Sequence, residues 1–445
     1  MGQRTVGIDL AIRGDHVARI LDDGRPHGKP IRFRLTSDSL AGLVAKLRDG
    51  VTADATITAV MEPTGMAWFP VARWLKQAGI KVFRVKGKRV QALRRYLSEH
   101  AKTDAADAYV LGAIPLFGGA PTDPVFVPSA EQHALQRLTR QRERLEDELT
   151  SIKRRLLDLV RWACPTLEAV LPDLRTNLAL AVLHDLLDPS CIIKARRTAL
   201  LRFVAKHASG NHPHSGPFAE ALVDGLKTAA GETVQLHGNA VDFTLLQTEV
   251  ALEVDRLRLI EAQLTRLTRE IETLYAKLHP SNALRTIPGI GIALGPLVLG
   301  VLHEAGRFAG LHRLRGFCGM FPRIKASGGT SQPGQAITQS GNNRIKRALY
   351  LAADAARRID PELAAVYWRL MVRKGHHHKQ ALCAVATRLV NRIGMVLRTG
   401  QAYELRDNDG TPITVALGKA IVAERFSIPI EIRNARRKHR VESTA

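Results

Sequence analysis

Aromatic residues make up only 5% of the 445-residue chain, cysteine occurs four times, and no run of eighteen apolar residues is present. Each shortage excludes something. Sparse Phe, Trp and Tyr argue against the extended base-stacking platforms used on single-stranded nucleic acid. Cys164, Cys191, Cys318 and Cys383 lie far apart without CxxC spacing, so they read as reduced core thiols rather than disulfides or a zinc site. Without a long apolar run there is no candidate transmembrane helix. The N-terminus MGQRTVGIDL reads as the start of a strand rather than a signal peptide, and Val6 stands where a myristoylation signal needs Ser or Thr. A soluble cytoplasmic protein is expected.

Acidic side chains are also scarce: 42 Asp and Glu face 65 Lys and Arg, a formal charge of +23. That surplus implies a polyanionic partner, nucleic acid before an acidic membrane surface. The tract GHHHK at 375–379 could take a metal ion, but reads better as an exposed, basic helix start.

The length allows two or three domains. Residues 1–116 alternate strands and helices: RTVGIDLA, HVARILDD and PIRFRLT as an antiparallel meander, a helix over 37–49, then TITAVMEP, MAWFPVARWLKQAG, IKVFRV and two helices over 88–113. That order predicts an RNase H-like α/β domain, which the family resemblance given below implies to be RuvC-like. A Pro- and Gly-rich linker, 117–129, follows. From 130 to 280 the period changes. Leu135, Leu138, Leu145, Leu149, Ile152, Leu156 and Leu159 step by three and four, with Arg142 in the one gap. Leu257, Ile260, Leu264, Leu267, Ile271, Leu274 and Leu278 repeat the step, predicting two long helices paired as a coiled coil around a helical insertion at about 165–235. A compact, mostly helical unit (281–405) and a basic tail (406–445) complete the chain.

AKTDAADAYV (101–110) places Asp104 and Asp107 on one helical face. Thr103 as N-cap, with both acids complementing the helix dipole, is a sufficient structural explanation in isolation. Two further acids change the reading. Asp9 ends the apolar strand VGID and Glu62 ends ITAVME. In an RNase H-like sheet the first and fourth strands are neighbours, and a helix crossing them brings all four carboxylates together. Such a cluster requires a cation. Oxygen-only ligation suits Mg²⁺, and two such ions would clamp a phosphodiester undergoing in-line displacement.

In the second half, LRTIPGIGIALGPLVLG (284–300) has the turn of a helix-hairpin-helix, in which Gly289 and Gly291 would admit a phosphate. GFCGMFPRIKASGGTSQPGQAITQSGNNRIKRALYL then gives a loop of glycines and small polar residues before a basic helix. A serine there needs activation, and Arg323 and Lys325 could stabilise phosphoryl oxygens.

The series Asp9, Glu62, Asp104, Asp107, with MEPTG and HAKTDAADA, resembles the DEDD transposases of bacterial insertion sequences, the insertion-sequence one-ten family. The segment from ASGG through GN to R-x-x-R-A-L resembles that family's C-terminal transposase domain. The resemblance covers 1–113 and about 284–400. It implies Asp9, Glu62, Asp104 and Asp107 as Mg²⁺ ligands and Ser327 as nucleophile; read from the residues alone, Ser327 also suits a turn-forming Ser-Gly, and Ser331 and Ser340 compete for the role. It also implies DNA contacts by Asn342, Arg344, Lys346 and Arg347. Further implications are a composite site between subunits, dimers and tetramers assembled through the coiled coil, and a guide RNA encoded by the element. Ser340 and Asn343 stand where the family usually has basic residues. Rival readings are a metal-only junction nuclease, a non-catalytic nucleic-acid scaffold and, weakest, an actin-like ATPase.

Overall fold

The structure is a computed structural model that describes residues 3–52, 55–62, 65–85, 87–97, 103–117, 124–208, 216–323, 326–327, 330–331, 337–432 and 434. The chain divides into two units, Met1–Ser129 with Gly306–Ala309 and Ala130–Ala305 with Gly310–Ala445.

In the first unit the elements run β1 (Arg4–Asp9), β2 (His16–Asp22), β3 (Arg25–Phe33), α1 (Ser37–Arg48), β4 (Ile57–Met61), α2 (Trp68–Gln77), β5 (Lys81–Arg84), α3 (Gly87–Leu97) and α4 (Asp104–Ala113). The sheet order is β3-β2-β1-β4-β5. The first three strands are antiparallel, whereas β4 runs parallel to β1 and β5 to β4. This is the strand order expected of an RNase H-like sheet. Parallel neighbours need crossovers, which α1 and α2 supply.

The two-residue period of a strand then assigns the faces. Val6, Ile8, Ile57, Ala59 and Met61 pack with Leu43 and Leu47 of α1 and Val71 and Leu75 of α2. On the opposite face Val60 packs with Val90 of α3 and Val110 and Leu111 of α4. Gly7 and Asp9 share that second face by alternation. The segment read as a linker is partly built into this unit: the Val125 amide donates to the Val82 carbonyl at 2.7 Å, beside β5, and Val125 is buried. Residues 118–123 lie outside the described residues.

The second unit is mostly helical. Helix α5 (Ala130–Ala163) lies antiparallel to the helix Phe243–Leu278: Glu131 pairs with Lys277, Glu148 with Arg256 and Glu253 with Arg155. Leu135, Leu145, Ile152 and Leu156 are buried on one helix, as are Leu257, Ile260 and Ile271 on the other. The partner helix starts at Phe243, well before the heptads. Its early positions Phe243, Leu246, Val250 and Val254 are buried in a core shared with the inserted helices, which run from Leu167 to His237. Near its end Tyr275 is fully buried and Leu274 only half-buried, and the Arg285 guanidinium stacks over the tyrosine ring at 4.4 Å.

Residues 406–445 are not tail throughout. Helix Val415–Arg425 packs closely enough that a Cβ on Gly418 would stand 2.4 Å from the Ile359 carbonyl oxygen. ARRKHR lies outside the described residues. His377 caps the helix His378–Thr399, and His378 Nδ1 is 2.6 Å from the Tyr367 hydroxyl, so the histidine tract does begin a helix. None of the four cysteines forms a disulfide. Cys164 and Cys318 are buried as expected of core thiols, Cys383 is half-buried, and Cys191 is exposed. Among the described residues no helix is long and apolar enough to cross a membrane.

Candidate functional site

The four acids lie toward one end of the sheet of the first unit, within electrostatic reach of Asp9. Strand β1 pairs with β4 in a register that ends Ile8 opposite Met61, so Asp9 and Glu62 leave the sheet as neighbours. Helix α4 lies directly across β1. A Cβ on Gly7 would stand 1.7 Å from the Ala108 carbonyl oxygen, and one on Gly112 would stand 2.9 Å from the Gly7 nitrogen. Two glycines therefore let backbone lie on backbone. Thr103 caps α4, its hydroxyl accepting from the Ala106 amide at 3.2 Å, and so fixes where the helix begins. That start places Asp104 and Asp107 where their charges reach Asp9, so one helix start serves both the cap and the field at the strand end.

The electrostatics register the convergence. Asp9 is half-buried, and its carboxyl is pushed up to about 6 by burial and then by the charges of Asp107, Asp104 and Glu62, against the opposing charge of Arg94. Arg94 of α3 lies 2.5 Å from Asp107 through Nε and Oδ1, with both side chains mostly buried. The contact is close but misaligned, so both atoms are buried without a hydrogen bond. Glu62 lies against the first residue of α3: a Cβ on Gly87 would stand 2.4 Å from its Oε1. Beside Asp104 opens a cleft of about 460 Å³, with Lys29 and Arg32 of β3 on its wall.

The donor set is oxygen-only, with four carboxylates against one guanidinium, and this fits a hard divalent cation. Among the described residues no three His, Cys, Asp or Glu side chains form a ready-made cage. The acids share a field without closing around a point.

The candidates of the second unit fall into different settings. Gly289 has φ +85°, and a Cβ on it would stand 2.2 Å from the Ala352 carbonyl oxygen, so its own packing requires glycine, whereas Gly291 faces open space. Ser327 ends a two-residue strand, β6 (Ala326–Ser327), paired with β7 (Thr330–Ser331). The side chains of Ser327 and Ser331, and all of Lys325, lie outside the described residues. Arg323 is exposed. Gly341 has φ +100° and abuts Gly319, and Asn342 caps the helix Asn343–Ala356 by accepting from the Arg344 and Ile345 amides, which gives the Gly-Asn pair a local reason. On that helix Arg344 pairs with Glu143 and Arg347 with Asp147, both from α5. Lys346 donates to the carbonyls of Thr338 and Ser340 at 3.0 and 2.9 Å, holding the loop. The exposed Ser340 thus contributes its backbone to that hold.

Sequence reading missed Arg94, Gly87, Lys29 and Arg32, and also a basic ridge on α5. His133, Arg137, Arg140 and Arg144 step by four, three and four along one face. Burial and the charges of Arg344 and Arg144 weaken the hold of Arg140 on its proton, and Arg344 Nη1 and Nη2 are buried without hydrogen bonds. The helical step was visible in the sequence. The approach of Arg344 was not.

Comparison with known proteins adds independent findings. Residues 6–165 match the family model of DEDD transposases described as "Transposase", and residues 281–368 match the "Transposase IS116/IS110/IS902 family", together more than half the chain. A Streptomyces coelicolor relative, the IS110 insertion element's uncharacterized 43.6 kDa protein, is 28% identical over 87% of this chain and 90% of its own length. The 44.8 kDa protein of IS116 from Streptomyces clavuligerus is 24% identical over 73% of this chain and 78% of its own. A pilin gene-inverting protein of Moraxella bovis is 26% identical over 29% of this chain and 40% of its own.

Proposed function

Because this chain belongs to the IS110 family of DEDD transposases, we propose that it cuts and rejoins DNA at an insertion sequence, using a carboxylate-bound Mg²⁺ and a serine nucleophile. One observation carries the proposal: Asp9, Glu62, Asp104 and Asp107, from separate elements, sit within electrostatic reach of one another, so that the charges of the last three add to burial in raising the Asp9 carboxyl to about 6. A site with no counter-charge to receive would gain nothing from that repulsion.

In this reading the four carboxylates hold the cation, which would polarise the scissile phosphodiester as a Lewis acid. Lys29 and Arg32 line the approach to Asp104 and attract the strand. The Ser327 hydroxyl attacks phosphorus. The Oγ–P bond forms, the bond from phosphorus to the 3′-oxygen breaks, and the serine proton is balanced by one gained at the leaving 3′-hydroxyl. Attack by a 3′-hydroxyl on the phosphoserine reverses these changes and reseals the strand. Arg323 and Lys325 neutralise phosphoryl oxygens, and Ser331 or Ser340 takes the role if Ser327 does not.

Nucleic-acid contacts by Gly289, Gly291, Asn342, Arg344, Lys346 and Arg347 belong to the same proposal, with the turn at 287–291 acting as a helix-hairpin-helix. For Arg344 and Arg347 it requires exchange of Glu143 and Asp147 for phosphates. The α5 ridge and the +23 charge support an extended polyanionic partner, including a guide RNA. Self-association through a coiled coil is supported by Leu245, Leu252 and Leu259, exposed at seven-residue intervals on the helix Phe243–Leu278. A cytoplasmic location follows from the DNA substrate.

Asp107→Asn keeps shape and removes one ligand charge. Its cleavage of element-end DNA in Mg²⁺ is expected to fall by about 10³-fold or more, on the scale of losing a transition-state electrostatic group. Time courses on labelled duplexes, with and without chelator, read this. Unchanged cleavage would leave a nucleic-acid scaffold.

A further inference from the structure

Helix α3 supplies a cation that the acid pattern of the sequence does not include. Arg94 is 22% exposed and lies 2.5 Å from Asp107, which is 14% exposed, and its charge opposes those of Asp107, Asp104 and Glu62 at Asp9. Arginine is the one side chain that cannot shed its charge there by losing a proton. The same helix begins with Gly87 against the Glu62 carboxylate, so one rigid element touches two of the four acids. The Arg94 contact is not an optimised salt bridge. Nε and Oδ1 are buried and close, yet misaligned for a hydrogen bond, whereas Arg–carboxylate pairs kept for stability are commonly bidentate. A charge held by proximity rather than by paired hydrogen bonds is one that another cation can replace.

We propose that Arg94 is the resident counter-ion of the carboxylate cluster, occupying Asp107 until a divalent cation displaces it. The proposal rests on the reading of this cluster as a cation site. Arg94 is thereby a positioning residue: it keeps α4 docked and the acids gathered when no metal is bound, and it sets the cation concentration at which the site fills. Competition is the reason, since a bound cation must first replace a contact the protein already makes.

The test is Mn²⁺ binding to the full-length protein at fixed ionic strength, with free ion measured by electron paramagnetic resonance, alongside metal-free thermal unfolding. Arg94→Gln is expected to bind Mn²⁺ about tenfold more tightly than the unaltered protein, the scale of one charge-assisted contact, and to unfold at lower temperature without metal. Arg94→Lys keeps the charge but loses the planar guanidinium, so its affinity should fall between the two; it serves if the glutamine variant does not fold. In an Asp107→Asn background the effect of Arg94→Gln should vanish, because the contested ligand is gone. Equal affinities in the unaltered protein and both Arg94 variants would overturn the counter-ion role while leaving the cation site standing. A full tenfold effect surviving in the Asp107→Asn background would overturn it too, by showing a general field. No Mn²⁺ binding to the unaltered protein would remove the cation site itself.

Discussion

Asp9→Asn is expected to make the protein more stable at neutral pH while weakening its hold on the proposed cation. The Asp9 carboxyl is raised from 3.8 to about 6. Between about pH 4 and pH 6 the folded protein therefore keeps a proton that the unfolded chain releases. Stability contributed by the protonated acid is full below pH 4 and is lost as pH rises through 6. Above that window an ionised Asp9 opposes folding. Felt in full, a rise of that size would correspond to about 3 kcal/mol. Because the group is half-exposed, solvent screening leaves about 1 kcal/mol, or a few degrees in melting temperature for a unit of this size. Thermal unfolding in chelator should show the variant above the unaltered protein at pH 7.5 and level with it at pH 4. Saturating Mg²⁺ should reverse the order, stabilising the unaltered protein more than the variant. A variant less stable at pH 7.5 in chelator would mean that the carboxylate is held by favourable bonds rather than opposed by burial and the neighbouring charges.

Gly7→Ala should cost far more. Its Cβ would lie 1.7 Å from the Ala108 carbonyl oxygen, an overlap that no rotamer relieves, so α4 must lift from β1. Overpacking of backbone against backbone costs about 3 kcal/mol or more, a large part of a domain's stability. Gly42→Ala provides the contrast: Gly42 lies within α1 with nothing inside 4 Å, and alanine there should stabilise by about 0.5–1 kcal/mol. Limited proteolysis and thermal melts read both. If Gly7→Ala melts like Gly42→Ala, the close seating of α4, on which the convergence of the acids depends, is wrong.

The sequence makes the sheet and the acids legible for a definite reason. Apolar runs ending in Asp9 and Glu62 carry the strand period, and Thr103 with Asp104 and Asp107 carries a helix start, so each local signal stands within a few residues. What escapes detection depends on partners far along the chain. Arg94 is one arginine among many until Asp107 stands beside it. Gly87 is unremarked until Glu62 lies on it. Heptads locate the pairing of α5 with its partner helix but not that helix's start at Phe243, because its early turns bury their apolar side chains in a core shared with the inserted helices as well as α5. Similarly, Arg344 and Arg347 look like free cations in sequence, and only the fold brings Glu143 and Asp147 to them.

The most direct measurement of the proposed chemistry is a denaturing gel of labelled element-end DNA after reaction with the unaltered protein, Ser327→Ala and Asp107→Asn in Mg²⁺. A protein–DNA adduct that resists denaturation should appear with the unaltered protein alone, and neither variant should release cut strand. Cut strand accumulating without adduct in Ser327→Ala would contradict the serine mechanism and leave a nuclease that uses its acids alone.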